Sequence, residues 1–181
     1  MKKVLLLCLI AAQSFAFDSV SVGGGLLLNT PDLDGGSGVD EESAFSLQVG
    51  AIAKSEIADK IDFRTGAFLQ RKNYTLETQS LELDLALDYL TIPLTVAYNL
   101  NDKFNLIGGL SASVLIADDC DVDNGTCQFD DTETFVPSLI VGGGMFFNDS
   151  LSGEAYIERT LSEVSESTEI TSLVFNVLYN I

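Results

Sequence analysis

Apolar and polar residues alternate along much of the chain with a period of two. In residues 90–100 the apolar set is Leu90, Ile92, Leu94, Val96, Tyr98 and Leu100, and the residues between them are Thr91, Pro93, Thr95, Ala97 and Asn99. Side chains of a β-strand point to opposite faces in turn, whereas the apolar positions of an amphipathic helix recur at three and four. The alternation therefore predicts strands with one apolar face.

Eight segments follow this pattern. The alternation is clear in residues 19–28, 44–53, 90–100, 104–116 and 172–181, and less regular in 61–72, 134–147 and 151–161. Second-face positions in the clear segments are mostly Ser, Thr, Gly, Asn and Gln, with few charges. We therefore predict an all-β fold, a closed antiparallel eight-stranded up-and-down transmembrane β-barrel with its apolar face toward lipid. The alternative is a soluble exported barrel or sandwich, whose second face should carry many charges.

The connections between these segments carry a second signal. Residues 29–42, 73–83, 117–133 and 162–168 are acidic and polar and mostly long, whereas 54–60, 101–103 and 148–150 are shorter. Outer-membrane barrels have long extracellular loops and short periplasmic turns. This arrangement predicts acidic loops at the surface of a Gram-negative cell and both termini in the periplasm.

The first 16 residues have the form of an export signal. Lys2 and Lys3 precede an apolar run over residues 4–12, and Ser14-Phe15-Ala16 places small residues where a signal peptidase reads them. The run is too short for a membrane helix, and no later apolar run approaches the roughly 20 residues that one needs. We expect residues 1–16 to be a signal peptide and residues 17–181 to form one outer-membrane barrel domain.

Charge narrows the range of partners. Removal of the signal leaves 7 of the 9 basic residues beside 27 acidic ones, a net charge of −20. Such a charge disfavours nucleic acid as a partner. The partners that we expect are lipids and lipopolysaccharide of the outer membrane, the outer-membrane assembly machinery during biogenesis, and an unidentified surface partner.

Four ionisable residues are predicted to face the lumen. Glu154 and Glu158 share one inward face, and Asp62 and Arg64 share another. The chain has no histidine, the side chain that most often acts as a general base near neutral pH. We therefore predict no enzyme, and a salt-bridge network that plugs the barrel rather than a catalytic acid-base pair, because unpaired charge in a narrow lumen is costly.

One acidic loop has the spacing of a calcium site. Four acids hold positions 1, 3, 5 and 12 of a calcium-loop template: Asp119, Asp121, Asp123 and Asp130. Asn124 stands where the template has glycine, so the alternative is a solvated acidic loop. The same segment holds Cys120 and Cys127, which we expect to form a disulfide in an oxidising compartment. We predict no other cofactor.

Two arginines are predicted at the outer ends of their strands, at positions where the alternation of side chains points them toward the lipid. They are Arg71 and Arg159. Lipopolysaccharide phosphates lie at that height, and a guanidinium binds phosphate through two parallel hydrogen bonds. The alternative is that both are rim residues, satisfied by water or by loop acids such as Glu77.

A family resemblance extends these predictions. The stretch Tyr89-Leu90-Thr91-Ile92-Pro93-Leu94, continued to Leu100, resembles the fourth strand of the PorT-like outer-membrane β-barrel family. Residues 104–116 with Gly108-Gly109, and Glu154-Ala155-Tyr156, are also similar to that family. The resemblance implies an eight-stranded outer-membrane barrel and little about activity. Thr91 departs from the family pattern, which has an inward Glu there.

These observations favour a structural or binding role. An eight-stranded barrel is just wide enough for side chains to fill its interior, so a general diffusion pore is not expected. The leading hypothesis is an outer-membrane barrel with acidic surface loops and a structural or binding function. The alternative is a narrow channel for small or cationic solutes.

Overall fold

The computed structural model describes residues 17–33, 40–78, 81–122, 133–164 and 168–181. Its strands are β1 (Ser19–Leu33), β2 (Asp40–Ala58), β3 (Ile61–Thr78), β4 (Leu81–Asn99), β5 (Phe104–Val122), β6 (Phe135–Phe146), β7 (Leu151–Thr160) and β8 (Thr168–Asn180). Each strand pairs antiparallel with the next along the chain, and β8 pairs with β1. The predicted closed eight-stranded barrel is confirmed. In the described ranges, no helix is long and apolar enough to cross a membrane.

Pairing of β1 with β8 closes the sheet. Their register is continuous from Ser21 opposite Asn180 to Leu33 opposite Thr168. An open edge strand would present a row of unpaired N–H and C=O groups. Closure leaves no strand at an open edge, as a sheet in hydrocarbon requires.

The outward face is an apolar belt. Large exposed apolar side chains come from all eight strands, with Leu26 and Leu106 each 53% exposed and Phe175 51% exposed. Contiguous apolar surface of this extent is unfavourable in water. The belt is therefore suited to contact with lipid.

The inward face holds more apolar side chains than the sequence pattern predicts. A buried cluster near the end that carries the acidic connections, which we call the loop end, comprises Leu85, Leu87, Tyr89, Val136, Val164 and Ile170. Two smaller clusters nearer the middle are Ile52, Phe68 and Leu178, and Ala97, Ile107 and Ile140. The lumen is therefore a packed interior built from polar and apolar layers.

Glycines make room for this interior where β2 pairs with β3. A Cβ added to Gly50 would lie 2.2 Å from the carbonyl oxygen of Ala67, and one added to Gly66 would lie 2.1 Å from that of Ala51. Neither position admits a side chain. Phe68 and Ile52, which pair with these two glycines, supply the side chains that fill the lumen there.

All five strands from β1 to β5 begin or end inside predicted loops. The predicted loop 29–42 contains the end of β1 at Leu33 and the start of β2 at Asp40, and the loops 73–83 and 117–133 likewise contain strand ends of β3, β4 and β5. β4 begins at Leu81, well before the predicted start at Leu90. These loop predictions were wrong because ladder hydrogen bonds continue where the outward face no longer has to be apolar.

The extension of β4 shows how the pattern changes. Leu85, Leu87 and Tyr89 point inward and Asp88 points outward, whereas from Leu90 onward the large apolar side chains point outward. A strand whose outer face meets water has apolar residues inside, and one whose outer face meets lipid has them outside. The reversal between Asp88 and Leu90 therefore marks the upper limit of the belt on this strand.

The closure of the barrel predicts a specific crosslink. In a chain with Cys120 and Cys127 replaced by Ser, Leu26→Cys and Phe175→Cys lie opposite each other across the β1–β8 seam. Oxidation of the folded protein should join them, because facing residues of adjacent strands come within disulfide range. Non-reducing electrophoresis after boiling measures the crosslinked fraction.

The matched control is Leu26→Cys with Leu139→Cys, since β6 does not border β1. Equal crosslinking in the two variants, or none in the seam variant, would contradict the closed topology.

Candidate functional site in the barrel lumen

An ion pair crosses the lumen at mid-height. Arg64 on β3 and Glu154 on β7 are both buried, and Arg64 Nη2 donates to Glu154 Oε1. β3 and β7 lie on opposite sides of the ring of eight strands. Side chains from opposite walls meet because an eight-stranded barrel is narrow. This pair therefore ties the two walls together.

A second buried ion pair lies nearer the loop end. Lys72 Nζ on β3 lies 3.4 Å from Glu158 Oε1 on β7, and each side chain is 1% exposed. Gln70 Nε2 and Ser111 Oγ also donate to the Glu158 carboxylate, at 3.0 and 3.1 Å. The Lys72 ammonium lies 5.8 Å from the centroid of the Tyr89 ring. The carboxylate thus has a cation and two further donors, which a buried charge requires.

Neutral hydrogen bonds extend these two pairs along the lumen. Gln70 Oε1 accepts from Thr91 Oγ1 at 2.7 Å, and Thr91 lies 2.9 Å from Ser113 Oγ. Beside the Arg64–Glu154 pair, Gln48 Nε2 donates to Asn176 Oδ1 at 2.7 Å and to Tyr156 Oη at 3.1 Å. The polar side chains therefore bind one another.

Little free space remains at the centre. The cavity between Arg64, Glu154, Phe68 and Tyr156 has a volume of about 20 Å³, close to the minimum that holds one water molecule. A much larger recess of about 610 Å³ opens at the terminus end, the end with the short turns and both chain ends, and Lys54 and Asp62 line it. This vestibule ends at the packed interior.

Three of the four predicted lumen residues lie in the buried network. They are Arg64, Glu154 and Glu158. Asp62 lies instead at the vestibule, where it accepts a hydrogen bond from Asn99 Nδ2 at 3.0 Å. Sequence reasoning overlooked Lys72, although it has the same inward parity on β3 as Arg64. Extending the inward–outward alternation from Arg64 to the end of the predicted strand would have placed Lys72 in the lumen.

Residues 11–166 match the family described as the outer membrane protein beta-barrel domain. The chain belongs to this family. Two solved structures share its fold. The attachment invasion locus protein Ail of Yersinia pestis has a TM-score of 0.54 at 10% identity, covering 90% of this chain and 98% of Ail. Neisserial surface protein A has a TM-score of 0.60 at 12% identity, covering 90% and 97%. A comparison with curated protein sequences found no match.

Membership in this family places the barrel in the outer membrane. The apolar belt is therefore the lipid-facing surface. From the usual arrangement of such barrels, we expect the loop end to be extracellular. The buried network and the vestibule lie inside the wall.

Both predicted rim arginines of this outer-membrane barrel are exposed and bind carboxylates on other strands. Arg71 Nε and Nη2 donate to the two oxygens of Asp88, each at 2.7 Å. Arg159 Nη2 donates to Glu169 at 3.0 Å and lies 3.9 Å from Asp32. These acids belong to β4, β8 and β1 and were not foreseen. A phosphate at either arginine would share it with a carboxylate.

Several predicted sites fall outside the description of the barrel. Asp119, Cys120 and Asp121 lie on β5, but their side chains are not among those described. The other predicted residues, Asp123, Cys127 and Asp130, and the predicted signal at residues 1–16, lie outside the described residues, as does the side chain of Glu77. Among the described residues there is no cluster of three metal-binding side chains.

Breaking one buried pair should cost far more than breaking an exposed one. Lys72→Met leaves the Glu158 carboxylate buried without its cation, and we expect a loss of about 3–5 kcal/mol in the free energy of unfolding. Lys72→Met with Glu158→Gln removes both charges and should lose clearly less. Urea unfolding of the barrel in phospholipid vesicles measures each value.

Arg71→Gln on the adjacent exposed pair is the matched control, with an expected loss of no more than about 1 kcal/mol. A double variant as unstable as Lys72→Met alone would show that the charges do not stabilise each other.

Proposed function

We propose that this outer-membrane barrel is closed to solutes and has a structural or binding role through its acidic extracellular surface. The observation that carries the proposal is the filled lumen, with about 20 Å³ free beside the Arg64–Glu154 pair. A solute would have to displace buried ion pairs and hydrogen bonds that span the barrel. Such displacement is costly because each charge would lose its partner in a medium of low dielectric constant.

The apolar cluster at the loop end supports closure from the other side. Leu87 and Tyr89 are fully buried there, and Val164, from the connection after β7, packs with them. A hydrated ion entering from outside would first meet this apolar layer and then the Lys72–Glu158 pair. Two layers of different chemistry therefore oppose passage.

Charge at the loop end supports a binding surface for cationic groups. The basic residues at this end are Arg71, Lys72 and Arg159, and each is paired with a carboxylate. Most of the chain's acidic connections lie beyond them. We propose that this surface meets a partner with basic groups or divalent cations, and calcium at Asp119, Asp121, Asp123 and Asp130 remains a prediction of this kind. Lipopolysaccharide contact at Arg71 and Arg159 likewise remains a prediction.

A catalytic role has less support. The chain contains no histidine, and the buried acids Glu154 and Glu158 each bind a cation. We therefore propose a protein without enzymatic activity. The finer assignment to the PorT-like branch, based on Tyr89 to Leu94, also remains a prediction.

The vestibule favours a second candidate, a narrow channel for small or cationic solutes. It has a volume of about 610 Å³ and polar walls that include Lys54 and Asp62. Rearrangement of the Arg64–Glu154 pair would connect it to the upper lumen. The two candidates differ in whether water-soluble reagents reach the middle of the barrel.

Accessibility of single cysteines separates the two candidates. In a background without Cys120 and Cys127, we expect Ser111→Cys, beside Glu158 in the lumen, to resist a small cationic thiol reagent applied to the folded barrel in vesicles. Asn101→Cys, exposed at the vestibule, should react readily. Mass spectrometry measures the modified fraction of each, and planar-bilayer recordings of the wild type should show no conductance steps.

Rapid modification of Ser111→Cys together with regular conductance steps would favour the channel. Retarded migration of unboiled relative to boiled samples in electrophoresis, compared across the variants, controls for loss of folding.

A further inference from the structure

The ladder between β2 and β3 is interrupted near the loop end. Ser43 pairs with Tyr74, and the next pair toward the terminus end is Gln48 with Gln70. Residues 44–47 and 71–73 therefore have no ladder partners across this boundary, although both strands are described throughout. On their other sides the same segments remain paired, as in Phe45 with Leu28. Four residues of β2 thus face three of β3, a one-residue register shift of the kind that a β-bulge produces.

A recess of about 520 Å³ lies at this interruption. Its outer lining includes Phe45 and Leu47, which are 73% and 67% exposed, whereas its inner lining includes the buried Ser46 and Gln70. Successive residues of one strand point to opposite faces, so a recess lined by both sets enters the wall. We call it the wall notch. Its volume falls within the range of small-molecule sites.

The chemistry of the wall notch changes from apolar to polar toward the loop end, because Leu69, Arg71 and Asn73 follow one another on the outward side of β3. Phe45, Leu47 and Leu69 line its mouth. Asn73 also lines the notch, and its buried Oδ1 has no hydrogen-bond partner among the described residues. At the rim, Arg71 and Asp88 neutralise each other through two hydrogen bonds of 2.7 Å. The notch therefore offers an apolar mouth, an uncharged carboxamide and a neutral rim.

These features identify the class of ligand. A buried polar group without a partner is unfavourable, and a ligand that hydrogen-bonds it gains that energy. A charged head has no free counter-charge at the rim, because Arg71 and Asp88 already bind each other there. The mouth opens at the upper part of the belt, where hydrocarbon chains surround the barrel. The chemistry thus matches a chain with a small uncharged head.

We propose that the wall notch binds a single-chain amphiphile from the surrounding membrane, with its alkyl chain against Phe45, Leu47 and Leu69 and a hydroxyl or amide head at Asn73. This site lies on the lipid side of a barrel whose lumen is closed, so it is separate from the proposed surface role. Its ligand enters from the bilayer.

Tryptophan quenching tests the proposal, because the chain contains no tryptophan. Phe45→Trp places a single reporter at the mouth, and Ile157→Trp places a matched one on β7, which neither lines the notch nor borders a strand that does. In phospholipid vesicles, 12-bromododecan-1-ol should quench the Phe45→Trp fluorescence with a saturable component that unbrominated dodecan-1-ol displaces. The Ile157→Trp reporter should show only the linear quenching of membrane partitioning.

A second variant tests the role assigned to Asn73. Asn73→Leu in the Phe45→Trp background should weaken the saturable binding of 12-bromododecan-1-ol by about tenfold, the effect of one lost hydrogen bond. Binding of 1-bromododecane, which has no hydroxyl, should be unchanged.

Linear, undisplaced quenching at both reporters would overturn the proposal, and so would saturable quenching of equal strength at both. The competition experiment uses only surface reporters, so it decides the question even if Asn73→Leu does not fold.

Discussion

Backbone hydrogen bonding in hydrocarbon is the constraint on which the rest of this structure depends. No water is present to satisfy N–H and C=O groups, so a sheet in the membrane has to close on itself. The seam between β1 and β8 provides that closure. With every strand paired on both sides, the side chains divide into one set that meets lipid and another that shares a confined interior. The apolar belt and the packed lumen both follow from that division.

The small circumference of the barrel determines what the interior contains. Side chains from opposite walls reach each other, as Arg64 and Glu154 do between β3 and β7. Since an ionised side chain in such a space needs a partner, the charges occur as pairs supplemented by neutral donors such as Gln70 and Ser111. The network is therefore explained by filling and charge compensation, and it needs no catalytic purpose.

Much of this architecture could be predicted from local sequence, and the remainder depends on how strands are staggered. Period-two alternation predicted eight strands and the inward positions of Arg64, Glu154 and Glu158. It could not predict that Asp62 lies at the vestibule or that Lys72 meets Glu158, because those contacts depend on the relative heights of β3 and β7. The start of β4 was missed for another reason: above Leu90 the apolar face turns inward, so a search for apolar outward faces ends there.

At the interruption between β2 and β3, the wall departs from continuous ladder pairing. Near the upper limit of the belt, a stretch of ladder is missing between residues 44–47 and 71–73, and Asn73 lies on the outward side of β3, beyond the apolar mouth toward the loop end. A group on that side of the wall is reached along the outer surface, where the belt meets lipid, and not through the packed lumen. A ligand with an apolar chain and an uncharged polar head matches both the apolar mouth and the Asn73 carboxamide. Closure of the barrel to solutes is therefore compatible with binding from the membrane.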